Sequence, residues 1–171
     1  MLPDFRELLK SFNAHGVKYL IVGGYAVSFH AQPRATKDLD LFVKADPENA
    51  KAVYAALSSF GAPLEGITVE DLADAAKFIR FGREPVAIDI PPCIDGVDFD
   101  DAWTRRVTSV IDIGSGLTAF FISKADLIPS KIAAGRLRDL ADVEEIRDSE
   151  ASQSAQSKGK PAEQKGNDPT Q

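Results

Sequence analysis

Val22-Gly23-Gly24-Tyr25-Ala26, followed by Arg34-Ala35-Thr36-Lys37-Asp38-Leu39-Asp40-Leu41-Phe42-Val43, is the stretch on which the fold of this chain turns. Residues 38–44 read as a strand. Side chains alternate along a strand, so Asp38 and Asp40 share one face while Leu39 and Leu41 share the other. Two carboxylates about 5 Å apart repel by about 3 kcal/mol at an effective dielectric of ~20. A chain keeps such a pair more readily with a cation between them, either a divalent metal or a Lys or Arg. Ahead of the pair, Gly23-Gly24 lets the backbone approach an anion closely, and the helix expected next aims free N–H groups at it. A phosphate cradle beside paired carboxylates is the equipment of metal-dependent phosphoryl or nucleotidyl transfer.

Working outward, residues 17–22 form a short apolar run expected as a buried strand, and residues 25–31 a short helix stopped by Pro33. Before them, Phe5, Leu8, Leu9 and Phe12 keep helical spacing, with Pro3 and Asp4 suited to a first turn and Gly16 to its end. After the Asp38 strand, Asp46-Pro47 opens a helix carrying Ala50, Val53, Tyr54 and Leu57 and closing at Gly61. Thr68 and Asp71 make a capping box for a helix expected to run through Ala76. Residues 77–81 and 85–90 then read as two strands around a hairpin at Gly82-Arg83. In the second, Val86, Ile88 and Ile90 share one face, and Ala87 and Asp89 the other. If this strand lies beside the Asp38/Asp40 strand, three carboxylates converge, a set that suits Mg²⁺ with water and phosphate as its other ligands.

Further along, residues 96–106 hold a short helix with Trp103, and residues 107–113 and 117–122 flank Gly114-Ser115-Gly116 as a hairpin. Ser123 or Asp126 caps the helix that follows. Ile132, Ala133, Leu137, Leu140, Val143 and Ile146 form its apolar stripe, with a break at Gly135. The expectation is an α/β (α+β) domain over residues 1–148, a small mixed, mostly antiparallel sheet flanked by helices. From residue 149 the only apolar residues are three alanines, so 149–171 is expected to be a disordered tail.

Composition narrows the function. The 171 residues carry a net charge of -6, which argues against a long non-specific nucleic-acid track. The single Cys93 forms no internal disulfide, and two His with one Cys make a Cys/His zinc site an unlikely design. No signal pattern opens the sequence and no apolar run reaches bilayer length, so a cytoplasmic protein with no membrane partner is expected.

Gly23-Gly24, a gap of thirteen residues and Asp38-Leu39-Asp40-Leu41 together resemble the signature of the nucleotidyltransferase fold superfamily. Arg34-x-Thr36-x-Asp38-x-Asp40 and Lys131-x3-Gly135-Arg136-x2-Asp139-Leu140-x-Asp142 narrow the likeness to the small branch related to AbiEii-type toxins. The resemblance implies a transferase that moves a nucleoside monophosphate from an NTP such as ATP to an acceptor hydroxyl: an RNA end such as that of tRNA, a protein or a small molecule. It implies that Gly23, Gly24, Arg34 and Thr36 bind the nucleotide, and that Asp38, Asp40 and Asp89 ligate Mg²⁺. Asp89 would also serve as base, and Lys131 and Asp139 would complete the site. A toxin–antitoxin or defence setting follows, with a cognate toxin or antitoxin as partner. Gly24 stands where many catalytic members have Ser, which removes one phosphate-binding hydroxyl. That departure keeps a second reading open, a non-catalytic relative that acts by binding a partner.

Some residues keep two readings. Arg34 either grips a phosphate or pairs with Asp38 or Asp40. Asp139 either belongs to the site or caps the helix after Gly135. His15 and His30 read as surface or half-buried, Cys93 as packed, and Trp103 as core.

Overall fold

A computed structural model of the chain describes residues 1–83 and 86–158. Among these residues six strands form one open sheet in the order β3-β4-β2-β1-β6-β5. The strands are β1 (Tyr19–Ile21), β2 (Asp38–Val43), β3 (Ile79–Arg83), β4 (Val86–Ile90), β5 (Val107–Asp112) and β6 (Leu117–Phe121). Three of the pairings are antiparallel, and two, β1 with β6 and β2 with β4, are parallel. The helices are α1 (Pro3–Ala14), α2 (Gly23–His30), α3 (Pro47–Phe60), α4 (Val69–Ala73), α5 (Phe99–Thr104), α6 (Lys124–Ala134) and α7 (Leu137–Lys158). The sheet and its flanking helices are those expected from the sequence. Among the described residues no helix is long and apolar enough to cross a membrane.

Alternation along the strands divides the interior in two. Tyr19 and Ile21 of β1 and Leu39, Leu41 and Val43 of β2 pack with Phe5, Leu8, Leu9 and Phe12 of α1 and Val53 and Leu57 of α3. Leu20 and Phe42 point the other way and pack with Ala26 and Val27 of α2, Phe99 of α5, Leu127 of α6 and Ile146 of α7. Asp38 and Asp40 therefore lie on the second face, under α2, α6 and α7. Burying a side chain such as Leu8 or Phe12 stabilises the fold by about 1.5–3 kcal/mol.

Local signals set the element ends. Asp46 accepts the Asn49 N–H at the start of α3, and Gly61, at φ 83°, closes that helix in the left-handed region. Thr68 and Asp71 form the reciprocal capping box of α4, which stops at Ala73 rather than Ala76. Ser123, not Asp126, is the N-cap of α6: it accepts the Asp126 N–H and donates to the Asp126 carboxylate.

Three expectations need correction here. Gly82 and Arg83 do not form the hairpin turn; they pair with Ala87 and Val86 inside the ladder. Residues 84–85, which follow Arg83 and precede Val86, lie outside the described residues. The apolar stripe of the last helices is out of phase at its start. Ile132, Leu137 and Leu140 are exposed, while Asp139, Asp142, Val143 and Ile146 face inward. Buried cations on the facing elements call for carboxylates there, not leucines. Finally, α7 continues past residue 148 to Lys158, with Ser149 buried and Glu150 paired to Lys124 at 3.3 Å. The remainder of the expected tail, 159–171, lies outside the described residues.

Candidate active site

The site is built where β2, β4 and the start of α2 meet. In the parallel ladder between β2 and β4, Asp38 stands opposite Ala87 and Asp40 opposite Asp89. The two-residue period puts all three carboxylates on one face, and the small Ala87 leaves room beside Asp38. Arg80 of β3, the cross-strand partner of Asp89, spans the acids. It lies 3.3 Å from Asp89 Oδ2 and 3.6 Å from Asp38 Oδ1.

Crowding the acids has an electrostatic cost. Burial, then the charges of Asp89 and Asp38, push the Asp40 carboxyl up to about 6, against one hydrogen bond from the Gly24 N–H. Burial also raises Asp89, opposed by Arg80. Among the described residues Asp89 Oδ1 is buried without a hydrogen-bond partner. One cation for three carboxylates leaves the cluster with surplus negative charge. No group of three or more His, Cys, Asp or Glu side chains among the described residues is arranged as a ready metal cage.

Gly23 and Gly24 are required by contact, not by flexibility alone. Gly23 has φ +59°, and a Cβ there would stand 1.9 Å from Asp40 Oδ2. A Cβ on Gly24 would stand 2.5 Å from Thr36 Oγ1. The space a residue-24 side chain would occupy is thus held by the Thr36 hydroxyl. Val22, the N-cap of α2, has no polar side chain to spend on the first helical N–H groups, and the Gly24 N–H goes to the Asp40 carboxylate instead.

A second cluster closes the site from the side of α6 and α7. Lys131 is buried, and its Nζ lies 2.9 Å from Asp139 Oδ1 and 2.7 Å from Asp142 Oδ2. Arg34, on the loop before β2, makes a two-pronged pair with the Asp142 carboxylate. Arg136 Nε donates to Asp139 Oδ2 at 2.5 Å. Burial works to raise Asp139, but hydrogen bonds from Arg136 and Lys131 hold it below the usual carboxylate range. Arg34 therefore pairs with neither Asp38 nor Asp40, as one reading of the sequence had it. Its partner is Asp142, which had no assigned role. Asp139 does not cap α7 with its side chain but serves the two cations.

Two clefts open on either side of Asp40. One, of about 520 Å³, is lined by Gly23, Gly24, Thr36, Asp38 and five cations: Arg34, Lys37, Lys131, Arg136 and Arg138. The other, of about 510 Å³, runs past Asp89 between the segment after β4 and the inner side of α6. Gly23, Gly24, Arg34, Thr36, Asp38, Asp40, Asp89, Lys131 and Asp139, all singled out from sequence, line one or both. Sequence reasoning missed Arg80 and Asp142. The first is readable only from the hairpin register opposite Asp89; the second sits three residues after Asp139, on the same helix face.

Three other expectations meet different outcomes. His30 is buried, not half-exposed, and its Nε2 lies 2.7 Å from the Ile122 carbonyl oxygen. Burial lowers its pKa, so the neutral ring donates that bond and pins α2 to the end of β6. Cys93 is exposed and lines the second cleft, because Pro91-Pro92 carry the chain out of β4 instead of into the core. Trp103 packs against Phe99 and Phe120 as expected, with the Arg106 guanidinium 4.0 Å above its ring.

In comparisons with known proteins, the family described as nucleotidyltransferase of unknown function (DUF6036) matches residues 3–149. No curated protein matches the chain.

Proposed function

Because the chain belongs to that nucleotidyltransferase family, we propose that it transfers a nucleoside monophosphate from an NTP to an acceptor hydroxyl, with Mg²⁺ as cofactor. The observation that carries this reading is the in-register pairing of Asp40 with Asp89, which sets three carboxylates beside an uncapped, glycine-started helix. The residues suit the metal. The acids keep surplus negative charge after Arg80. Mg²⁺ usually takes one or two carboxylates and keeps water and substrate phosphate, so no finished protein cage is needed. Asp38, Asp40 and Asp89 would hold it. When bound it would neutralise charge on the triphosphate and the developing oxyanion.

The chain's own groups divide the remaining work. Lys37 and Arg138, beside the ion-paired Arg34, Lys131 and Arg136, receive the triphosphate in the cleft that holds Thr36 and the start of α2. Thr36 Oγ1 offers the hydroxyl that a Ser at position 24 would otherwise bring. Asp89 Oδ1 accepts the proton of the acceptor hydroxyl. The acceptor oxygen bonds the α-phosphorus as the bond to the β-phosphate bridge breaks, and pyrophosphate leaves. Holding both partners in line lowers the barrier by replacing a chance encounter with a prepared one.

Incubation with each α-labelled NTP, with and without Mg²⁺, tests this. Label should pass to an acceptor only with the metal, and Asp38→Ala and Asp40→Ala should each lower transfer at least about a hundredfold. NTP binding with no transfer under any condition would favour the non-catalytic reading instead. A toxin–antitoxin setting belongs to the same proposal, and co-purification with the product of a neighbouring gene would test it.

A further inference from the structure

The two clefts differ in charge, and the difference bears on what the acceptor is. The cleft assigned to the triphosphate has five cations against four carboxylates. The cleft beside Asp89 reverses this, with Asp40, Asp89, Asp95 and Asp139 against Lys131 and Arg136. Both of those cations line the first cleft as well and are bonded to Asp139, so the cations that set the first cleft apart are Lys37, Arg138 and the Asp142-paired Arg34. Apart from Ser130, the rest of its wall is mostly apolar, including Phe78, Pro92, Ile94, Leu127 and Ala134. Phe78 is 53 % exposed at its mouth. Inside stands Asp89, 8 % exposed, whose Oδ1 has no hydrogen-bond partner among the described residues. A buried carboxylate oxygen in that condition requires a donor.

From this we infer that the cleft between the segment after β4 and α6 takes the acceptor, and that the acceptor is a phosphate-free hydroxyl compound with an apolar or aromatic body. The inference rests on the nucleotidyl-transfer reading and adds the class of its second substrate. A polynucleotide end would bring phosphates to a wall whose two cations are both engaged by Asp139, whereas a phenol or alcohol brings none. Its ring or alkyl body lies on Phe78 and Ile94, and its hydroxyl donates to Asp89 Oδ1. Asp40 stands between the clefts, so the bound hydroxyl faces the α-phosphate across it.

Binding can be read without turnover, by amide shifts of the isotope-labelled full chain. N-acetyltyrosinamide should shift Cys93, Ile94 and Ala134, while a phosphodiester-linked RNA tetramer at equal concentration should not. Ala134→Trp, which fills the cleft, should abolish the shifts. Phe78→Ala, on the surface, should weaken binding about fivefold. ATP with Mg²⁺ should shift a different set, Gly23, Gly24 and Lys37. If the RNA tetramer shifts the Cys93–Ala134 set, or the phosphate-free probe does not, while ATP still shifts its own set, the acceptor assignment falls and the transferase reading stands. If ATP leaves Gly23, Gly24 and Lys37 unmoved, both fall.

Discussion

Asp40 shows how much of this site is a matter of single atoms. Its carboxyl sits at about 6 against an ordinary 3.8, so between those values the folded protein binds a proton that the unfolded chain releases. In the metal-free protein Asp40 thus lowers stability as pH rises from about 4 to about 6, and the loss persists above. Asp40→Asn removes that penalty and should raise stability at pH 7.5 in EDTA by about 2 kcal/mol, with activity gone. Denaturant melts across pH 4–8 check this; a variant less stable than the parent at pH 7.5 would refute it. Gly23 offers a sharper contrast. Gly61 shares its positive φ but has open space around it, so Gly61→Ala should cost about 1–2 kcal/mol from backbone strain alone. Gly23→Ala adds a collision with Asp40 and should cost about 3 kcal/mol or more, measured by the same melts. The sequence made Asp38 and Asp40 legible because their spacing of two reports a shared face directly, and Asp89 joined them only on the condition that its strand lies beside theirs, which it does. It hid Arg80 and misled on His30 and Cys93, since neither register across a hairpin nor the path of a proline-rich exit is written in local spacing.

Among the elements, those with strong local signals came through best. Asp46-Pro47, the Thr68/Asp71 box and the glycine-flanked β5–β6 turn each stand as the sequence implied, because capping and turn chemistry act within four residues. The phase of α7 did not, since its inner face is decided by Lys131 on the helix before it and by Arg34, 108 residues from Asp142. Asn49 shows the same distance dependence. Its side chain accepts the Lys18 N–H at 2.8 Å and donates to the Lys18 and Lys44 carbonyl oxygens at 3.0 and 2.9 Å. One amide thereby binds α3 to the edges of β1 and β2. Asn49→Ala should destabilise the fold by about 2–3 kcal/mol, since the Lys18 N–H and the Lys44 carbonyl lose this partner and the Lys18 carbonyl is left with the Lys44 N–H. Urea unfolding of the variant tests it, and a loss below ~0.5 kcal/mol would mean that water replaces the amide.

At the scale of the whole molecule, the sheet brings the acids and Arg80, and α6–α7 bring the Lys131–Asp139–Asp142 cluster that closes over them. The sequence implied the sheet and the existence of both helices, but not that Asp142 joins them to the loop before β2. That joint is buried, so removing one member leaves the others uncompensated. Asp142→Ala strips Arg34 of its partner and leaves Lys131 with Asp139 alone, and should cost about 3–5 kcal/mol. Shielding by salt reaches buried pairs poorly, so the loss should persist in 0.5 M NaCl, about three times the physiological ionic strength. A thermal melt in which salt restores the variant would contradict this. The same joint bears on synthesis. Asp38, Asp40, Arg80 and Asp89 are all translated before Lys131, Asp139 and Asp142. A ribosome therefore releases the three crowded carboxylates with Arg80 as their one cross-strand cation, and a chain stalled after Asp89 carries them with no roof above.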